Sequence, residues 1–178
     1  MLTRRSWATI ALGFFAGTAS SAVQGADLKR FFSPADMPKK AKWHFAFSKA
    51  KAEAKKTQRP LMVLFSGDGW CRPCKYLDRK VFLKDEFHQW ALNNIVLAKI
   101  ELNRQFKPTV FNIFERRAHE ALVTKYRIRT IPLALFMTAA ERPIGLLRFS
   151  GQSAREYVQG AQRIIQHRQR SGGKTSIR

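Results

Sequence analysis

The only two cysteines of this 178-residue chain, Cys71 and Cys74, are separated by two positions. They follow an apolar run and precede a helical pattern that begins near Pro73. At the start of a helix, this spacing places both sulfurs at the positive end of the helix dipole, where a thiolate is favoured. Arg72 and Lys75 add positive charge nearby, and a proline is tolerated in the first helical turn. The pattern indicates an attacking thiol of low pKa with a second thiol placed to resolve a mixed disulfide.

Three other uses of the cysteine pair compete with this one. A structural disulfide would close so short a loop that it would stabilise the fold only weakly. A zinc site would need further ligands, but the chain has no second CxxC pair and its histidines show no H-x3-5-H spacing. These histidines are His44, His88, His119 and His167. Two inert thiols are the third alternative. The strand-then-helix context favours the redox dithiol, and we predict no metal site.

The elements that must position the cysteines alternate between strand and helix. The apolar run Leu61–Ser66 has strand length and suits a buried central strand, and Ile95–Leu102 predicts a second core strand. Leu133–Met137 and Ile144–Phe149 predict a hairpin. Residues 103–115 are expected to form a partly ordered insertion that packs on the domain. Apolar periodicity predicts helices from Trp43 to about Lys56, from about Asp85 to Leu92, from Arg116 to Lys125 and from a Ser153 cap to about His167.

Residues 1–26 have the pattern of an export signal. Arg4 and Arg5 form a positive start, and a largely apolar stretch with small residues follows. The paired arginines resemble a twin-arginine signal, although ordinary secretory signals also open with basic pairs. The apolar stretch is short and broken by glycine, so no membrane span is expected after cleavage. We therefore predict an exported chain. Its segments are a signal over 1–26, an extended lead-in over 27–42, one domain over 43–168 and a disordered basic tail over 169–178.

The chain carries an unusually large positive charge. It has 33 Lys and Arg against 12 Asp and Glu, a net charge of +21. Such a field would attract acidic proteins, anionic membranes or nucleic acid. The basic residues are spread along the chain rather than gathered in one tract, which favours a solvated basic surface without a dedicated ligand. No nucleic-acid motif occurs beyond the basic tail, so we predict no specific nucleic-acid partner.

Two anchors resemble those of the thioredoxin fold. The first is Trp-Cys-x-x-Cys-Lys at 70–75, directly after a strand, and the second is Tyr-Arg-Ile-Arg-Thr-Ile-Pro at 126–132. They occur together and in the expected order, and the resemblance covers most of residues 43–166. It implies an α/β fold in which helices flank a central mixed β-sheet. The lead-in helix and the insertion after the second core strand resemble exported thioredoxin-like proteins more than minimal thioredoxin.

The resemblance also implies roles for single residues. Cys71 would be the exposed nucleophile and Cys74 the buried resolving thiol, with Trp70 covering the edge of the active site. Pro132 would be the cis-proline that faces the dithiol, and Ile131 would offer backbone groups that pair with a substrate peptide as an extra strand. The alternative for Pro132 is an ordinary trans proline at the start of an edge strand.

One departure from the thioredoxin pattern concerns proton transfer. The buried aspartate that thioredoxin has six residues before its first cysteine is replaced here by Phe65. Lys99 matches the lysine that partners that acid. Glu101 on the same strand face, or Asp68 in the adjacent loop, could serve instead, although plain solvated charges are the simpler interpretation.

The resemblance implies thiol–disulfide exchange with exported proteins in the periplasm. It favours a reductase-type enzyme, because the chain lacks room for the large helical insertion of dedicated periplasmic oxidants. An inner-membrane electron donor would keep the dithiol reduced, and no cofactor beyond the Cys71–Cys74 disulfide is expected. The alternative is a redox-quiet thioredoxin-like module that binds an acidic protein partner.

Overall fold

The protein is described by a computed structural model over residues 39–67 and 69–170. The predicted export signal, the lead-in up to residue 38 and residues 171–178 of the predicted tail lie outside this range, as does Asp68. Within it, none of the helices is both long enough and apolar enough to cross a membrane.

A mixed five-stranded sheet forms the centre of the fold. Its spatial order is β1-β3-β2-β4-β5, with β1, β3 and β2 mutually parallel and β4 and β5 antiparallel to their neighbours. The strands are β1 (Trp43–His44), β2 (Leu61–Gly67), β3 (Val96–Leu102), β4 (Leu133–Met137) and β5 (Pro143–Arg148). The register pairs Gly67 with Leu102, so the parallel strands β2 and β3 both finish at the same end of the sheet. The cysteines lie at this end.

Five α-helices and one π-helical turn connect the strands. They are α1 (Phe47–Thr57), α2 (Arg72–Leu77), the π-helical turn (Asp78–Phe82), α3 (Asp85–Asn94), α4 (Ile113–Lys125) and α5 (Ala154–Arg170). Ser153 caps α5 as predicted, since its hydroxyl accepts the backbone N–H of Glu156 and the Glu156 carboxylate accepts the Ser153 N–H. The N–H and the hydroxyl of Ser153 both donate to the Glu156 carboxylate, and these two hydrogen bonds lower the pKa of Glu156.

The two faces of the sheet carry separate apolar cores. Met62 and Leu64 point to the face covered by α2, the π-helical turn, α3 and α5. Val63 and Phe65 point to the opposite face, which α1 and α4 cover. Alternate residues of a strand face opposite sides, so β2 is apolar along its whole length because both of its faces are buried. The predicted α/β fold with a central mixed sheet and flanking helices is confirmed.

Three local predictions are wrong. The first helix begins at Phe47 rather than Trp43, because Trp43 and His44 pair with β3 as a short strand. The fourth predicted helix begins at Ile113, because the side chain of Asn112 accepts the N–H groups of residues 114 and 115 and caps it there. The apolar pattern after the cysteines also predicts Tyr76 on one apolar face with Leu77 and Val81, but Tyr76 is half-exposed and lies against Phe149.

The segment between β3 and α4 packs on the domain, as expected. The side chain of Asn103 accepts the backbone N–H groups of Gln105 and Lys107 and closes a tight loop. Beyond this loop, Pro108 bridges to Leu102, so the returning chain runs beside the end of β3. This segment borders the end of the sheet where the cysteines lie.

Candidate active site

Cys71 and Cys74 lie where the chain leaves β2 and enters α2. Cys71 is the N-cap of α2 and Cys74 lies in its first turn. A disulfide joins them, with the two Cα atoms 5.3 Å apart. The backbone N–H of Cys74 donates to the Cys71 sulfur at 3.2 Å. Pro73 occupies the first turn and, like Arg72, is exposed. The predicted dithiol at a helix entrance is therefore present.

The prediction that Cys71 is exposed is wrong for the disulfide form. Cys71 is 4% exposed and Cys74 is 3% exposed. Beside Gly67, the Cβ of Cys71, the ring of Trp70 and Cδ1 of Ile131 all approach one point, so the surroundings of the cysteine loop are tightly packed. Because so little of Cys71 is accessible in this form, another protein's sulfur needs neighbouring atoms to move in order to reach it.

Gly67 is a site residue that sequence reasoning missed. A Cβ on Gly67 would lie 2.5 Å from the Cβ of Cys71 and 3.2 Å from Cδ1 of Ile131, so the site has no room for one. The backbone N–H of Gly67 also donates to the Cys74 sulfur at 3.4 Å. The available signal was a glycine at the end of an apolar strand, four residues before the first cysteine. Gly67 brings the backbone of β2 into direct contact with both cysteines.

Ile131 and Pro132 lie beside the dithiol, at the start of β4. The peptide bond between them is cis. Cδ1 of Ile131 approaches the same point beside Gly67 as the Cβ of Cys71. Because β4 lies between β2 and β5, the alternative of an ordinary proline on an edge strand does not apply. Both residues are partly exposed, and Ile131 lies next to the cysteine loop.

Trp70 links the cysteine loop to β3. Its indole N–H donates to the carbonyl of Leu102 at 3.0 Å. The guanidinium of Arg104 lies over the indole ring, 6.0 Å from its centre. Trp70 is half-buried, and its hydrogen bond fixes the cysteine loop to the end of β3.

Lys99 has two carboxylate neighbours in the structure. Its Nζ lies 3.3 Å from Glu101 and 3.8 Å from Asp78. Lys99 pairs with Leu64 in the β2–β3 register and so shares the α2 face of the sheet, whereas Phe65 points to the other face.

Asp78 was absent from the predicted site. It follows Cys74 by four residues, and its backbone N–H donates to the Cys74 carbonyl, so both residues share one helix face. Helical periodicity after the second cysteine was the signal that could have found it. The possible proton-transfer residues therefore include Asp78 alongside Lys99 and Glu101, while Asp68 lies outside the described residues.

Metal ligation finds no support in the part of the chain that the structure describes. No three histidine, cysteine, aspartate or glutamate side chains of residues 39–67 and 69–170 lie close enough to hold a metal ion. His44 instead pairs with Glu53 at 2.8 Å, and His88 accepts the backbone N–H of Ala41 at 3.2 Å.

Comparison with known proteins agrees with this geometry. The model of the thioredoxin-like family matches residues 42–139. The thioredoxin-related protein DsbJ of Chlamydia pneumoniae is 30% identical over 102 residues, which are 57% of this chain and 28% of the relative. The chain thus spans less than a third of that relative's length.

Solved structures share the fold. The DsbH oxidoreductase superposes with a TM-score of 0.64 at 16% identity, covering 72% of this chain and 86% of that one. A thioredoxin from Thermus thermophilus superposes with a TM-score of 0.57 at 18% identity, covering 76% and 95%. Because the family model matches more than half of the chain, the chain belongs to the thioredoxin-like family.

Proposed function

We propose that this enzyme reduces disulfides of exported proteins in the periplasm. The observation that carries the proposal is the placement of Cys71 and Cys74 at a helix entrance, close to the partly exposed residues Ile131 and Pro132 at the start of β4. An extended client segment can pair with that backbone as an added strand, which holds the client beside Cys71 with little demand on its sequence.

The reaction begins from the reduced enzyme. The Cys71 thiolate attacks one sulfur of the client disulfide, forming a mixed disulfide and releasing the other client sulfur as a thiolate. The Cys74 thiolate then attacks the Cys71 sulfur, which forms the Cys71–Cys74 disulfide and releases the second client sulfur. The client gains two electrons and two protons. A dithiol electron donor must return the same number to the enzyme, and we assign this role to a protein of the inner membrane.

The surroundings of the cysteines support this division of roles. The N–H of Cys74 points at the Cys71 sulfur, and Arg72 follows at the first helical position, so negative charge on Cys71 is stabilised. Asp78 and Lys99 lie on the Cys74 side of α2. We assign to this pair, with Glu101, the movement of the proton to and from the resolving thiol.

A reductase is favoured over an oxidant by the connections between strands. The only helix between β3 and β4 is α4, with 13 residues, so residues 39–170 hold no large helical insertion there. The proposed location follows from the export pattern of residues 1–26, and the proposed chemistry needs no cofactor beyond the disulfide.

The reduction potential of the Cys71–Cys74 pair tests the direction of electron flow. The purified protein would be equilibrated in dithiothreitol redox buffers, and its free thiols counted by alkylation and mass spectrometry. Potentials in this fold run from about −270 mV for thioredoxin to about −120 mV for a strong oxidant. We expect a value near the reducing end. A value near the oxidising end would reject the reductase while leaving the exchange reaction intact.

A further inference from the structure

A cleft of about 300 Å³ opens beside the end of β3. We call it the β3-edge cleft and define it by Phe45, Lys99, Glu101, Thr109, Phe111 and His119. Its volume is at the small end for ligand clefts, which suits one side chain of a partner rather than a large ligand.

The buried wall of the cleft contains a histidine without a hydrogen-bond partner. His119 is 2% exposed, and among the described residues neither ring nitrogen has a partner. Its nearest acidic group, the Glu115 carboxylate, lies 3.8 Å from Nε2, beyond hydrogen-bond distance. Burial lowers the pKa of His119, and this outweighs the opposite effect of Glu115, so the imidazole is neutral near pH 7. A neutral imidazole offers one donor and one acceptor.

The rim of the cleft is aromatic and exposed. Phe111 is 96% exposed and Phe45 is 55% exposed, although both are large apolar side chains. Phe111 belongs to the segment that packs along the end of β3, where the N–H of Thr109 donates to the carbonyl of Glu101 at 3.0 Å. The rim therefore offers two aromatic surfaces to a partner, above a polar wall.

The charged groups at the cleft are already paired. Lys99 lies between Glu101 and Asp78, so it has no free charge for an anionic ligand. Glu115 accepts hydrogen bonds from the hydroxyl and backbone N–H of Ser48. A neutral ligand is therefore favoured. The His119 nitrogens are already buried without a partner, which costs free energy, and a ligand hydroxyl that bonds to one of them would remove part of this cost, whereas an apolar ligand would not.

The cleft and the active site lie on opposite sides of the end of β3. The carbonyls of two successive residues of β3 connect them, since Glu101 accepts from Thr109 and Leu102 accepts from the Trp70 indole. Thr109 and Gly67 lie on opposite sides of β3, two strand spacings apart, or about 10 Å. About three residues of an extended client chain cover this distance.

We propose that the β3-edge cleft binds a tyrosine side chain of the protein client while the client disulfide reacts at Cys71. The ring packs between Phe45 and Phe111, and the phenol hydroxyl bonds to His119. This inference rests on the proposed reduction of client disulfides. It adds that the enzyme prefers clients with a tyrosine about three residues from the reacting cysteine.

The test uses disulfide-bridged peptides that differ only at the third residue from the reacting cysteine, on either side. We expect kcat/KM for reduction to be about tenfold higher with tyrosine than with alanine, because an aromatic ring is buried. With phenylalanine in place of tyrosine, kcat/KM should be about threefold lower, because the hydrogen bond to His119 is lost. Phe111→Ser should reduce the tyrosine-to-alanine ratio to one. Phe114→Ser is the matched control, since Phe114 is 75% exposed but does not line the cleft, and it should preserve the ratio.

A binding measurement separates failure of this inference from failure of the reductase. N-acetyltyrosinamide would be titrated into the oxidised protein while the histidine side-chain signals are followed by NMR. We expect a saturable shift of the His119 signals in the wild type and in Phe114→Ser, but not in Phe111→Ser. Equal reduction of all peptides without this shift would overturn the cleft proposal alone. A shift without reduction of any peptide would overturn the reductase instead.

Discussion

A Cys71→Ser variant is expected to reduce insulin disulfides no faster than dithiothreitol alone. Cys71 is the N-cap of α2, and its sulfur receives the N–H of Cys74, so it is the sulfur whose negative charge the helix entrance stabilises. Serine preserves the N-cap hydrogen bond but is a far weaker nucleophile at neutral pH. The measurement is the lag before insulin precipitates, with wild type, variant and no protein compared at equal dithiothreitol.

The control for this loss of activity is a test that the Cys71→Ser variant is still folded. Replacing Cys71 removes the disulfide, but closing so short a loop contributes little stability, so thermal unfolding should remain cooperative. If the wild type and Cys71→Ser shorten the lag equally, the dithiol is not the source of activity.

Gly67→Ala is expected to slow thiol–disulfide exchange by about 100-fold, because an error of about 1 Å at a reacting group can cost that factor. The added methyl would lie 2.5 Å from the Cβ of Cys71, so the cysteine or the strand must shift. This overpacking should also lower the free energy of unfolding by about 1–3 kcal/mol. Stopped-flow reduction by dithiothreitol and urea unfolding would measure the two effects.

Gly69→Ala is the matched control in the same loop. Gly69 has a φ of +69°, and nothing lies within 4 Å of the position of an added Cβ. Alanine there should cost about 1–2 kcal/mol of stability through backbone strain. Because it displaces no atom of Cys71, the exchange rate should stay close to that of the wild type. Equal slowing by both variants would show that contact between Gly67 and Cys71 is unimportant.

The parts of the fold that the sequence predicted are those with strong local patterns. β2 is a continuous apolar run because both of its faces are buried, and β3 is apolar except at Lys99 and Glu101. The hairpin of β4 and β5 follows from two largely apolar runs around a short turn. The cysteine pair is recognisable because its spacing and the following proline are local features. Such signals need no knowledge of distant contacts.

The missed features depend on contacts between distant segments. The two residues of β1 have no strand pattern of their own, and they form a strand because they pair with Leu97 and Ala98 of β3. The close packing beside Gly67 brings the Cβ of Cys71 near Ile131, which lies 60 positions later in the chain. The pairing of Asp78 with Lys99 joins a helix end to a strand. None of these contacts leaves a periodic trace in the chain.

The central claim is that Cys71 attacks client disulfides and Cys74 resolves the product. It is tested most directly by incubating single-cysteine variants with a disulfide-containing protein and identifying covalent adducts by mass spectrometry. We expect Cys74→Ser to accumulate a mixed disulfide through Cys71, since no resolving thiol remains, and Cys71→Ser to accumulate almost none. Adducts formed mainly by Cys71→Ser, or by neither variant, would contradict the account.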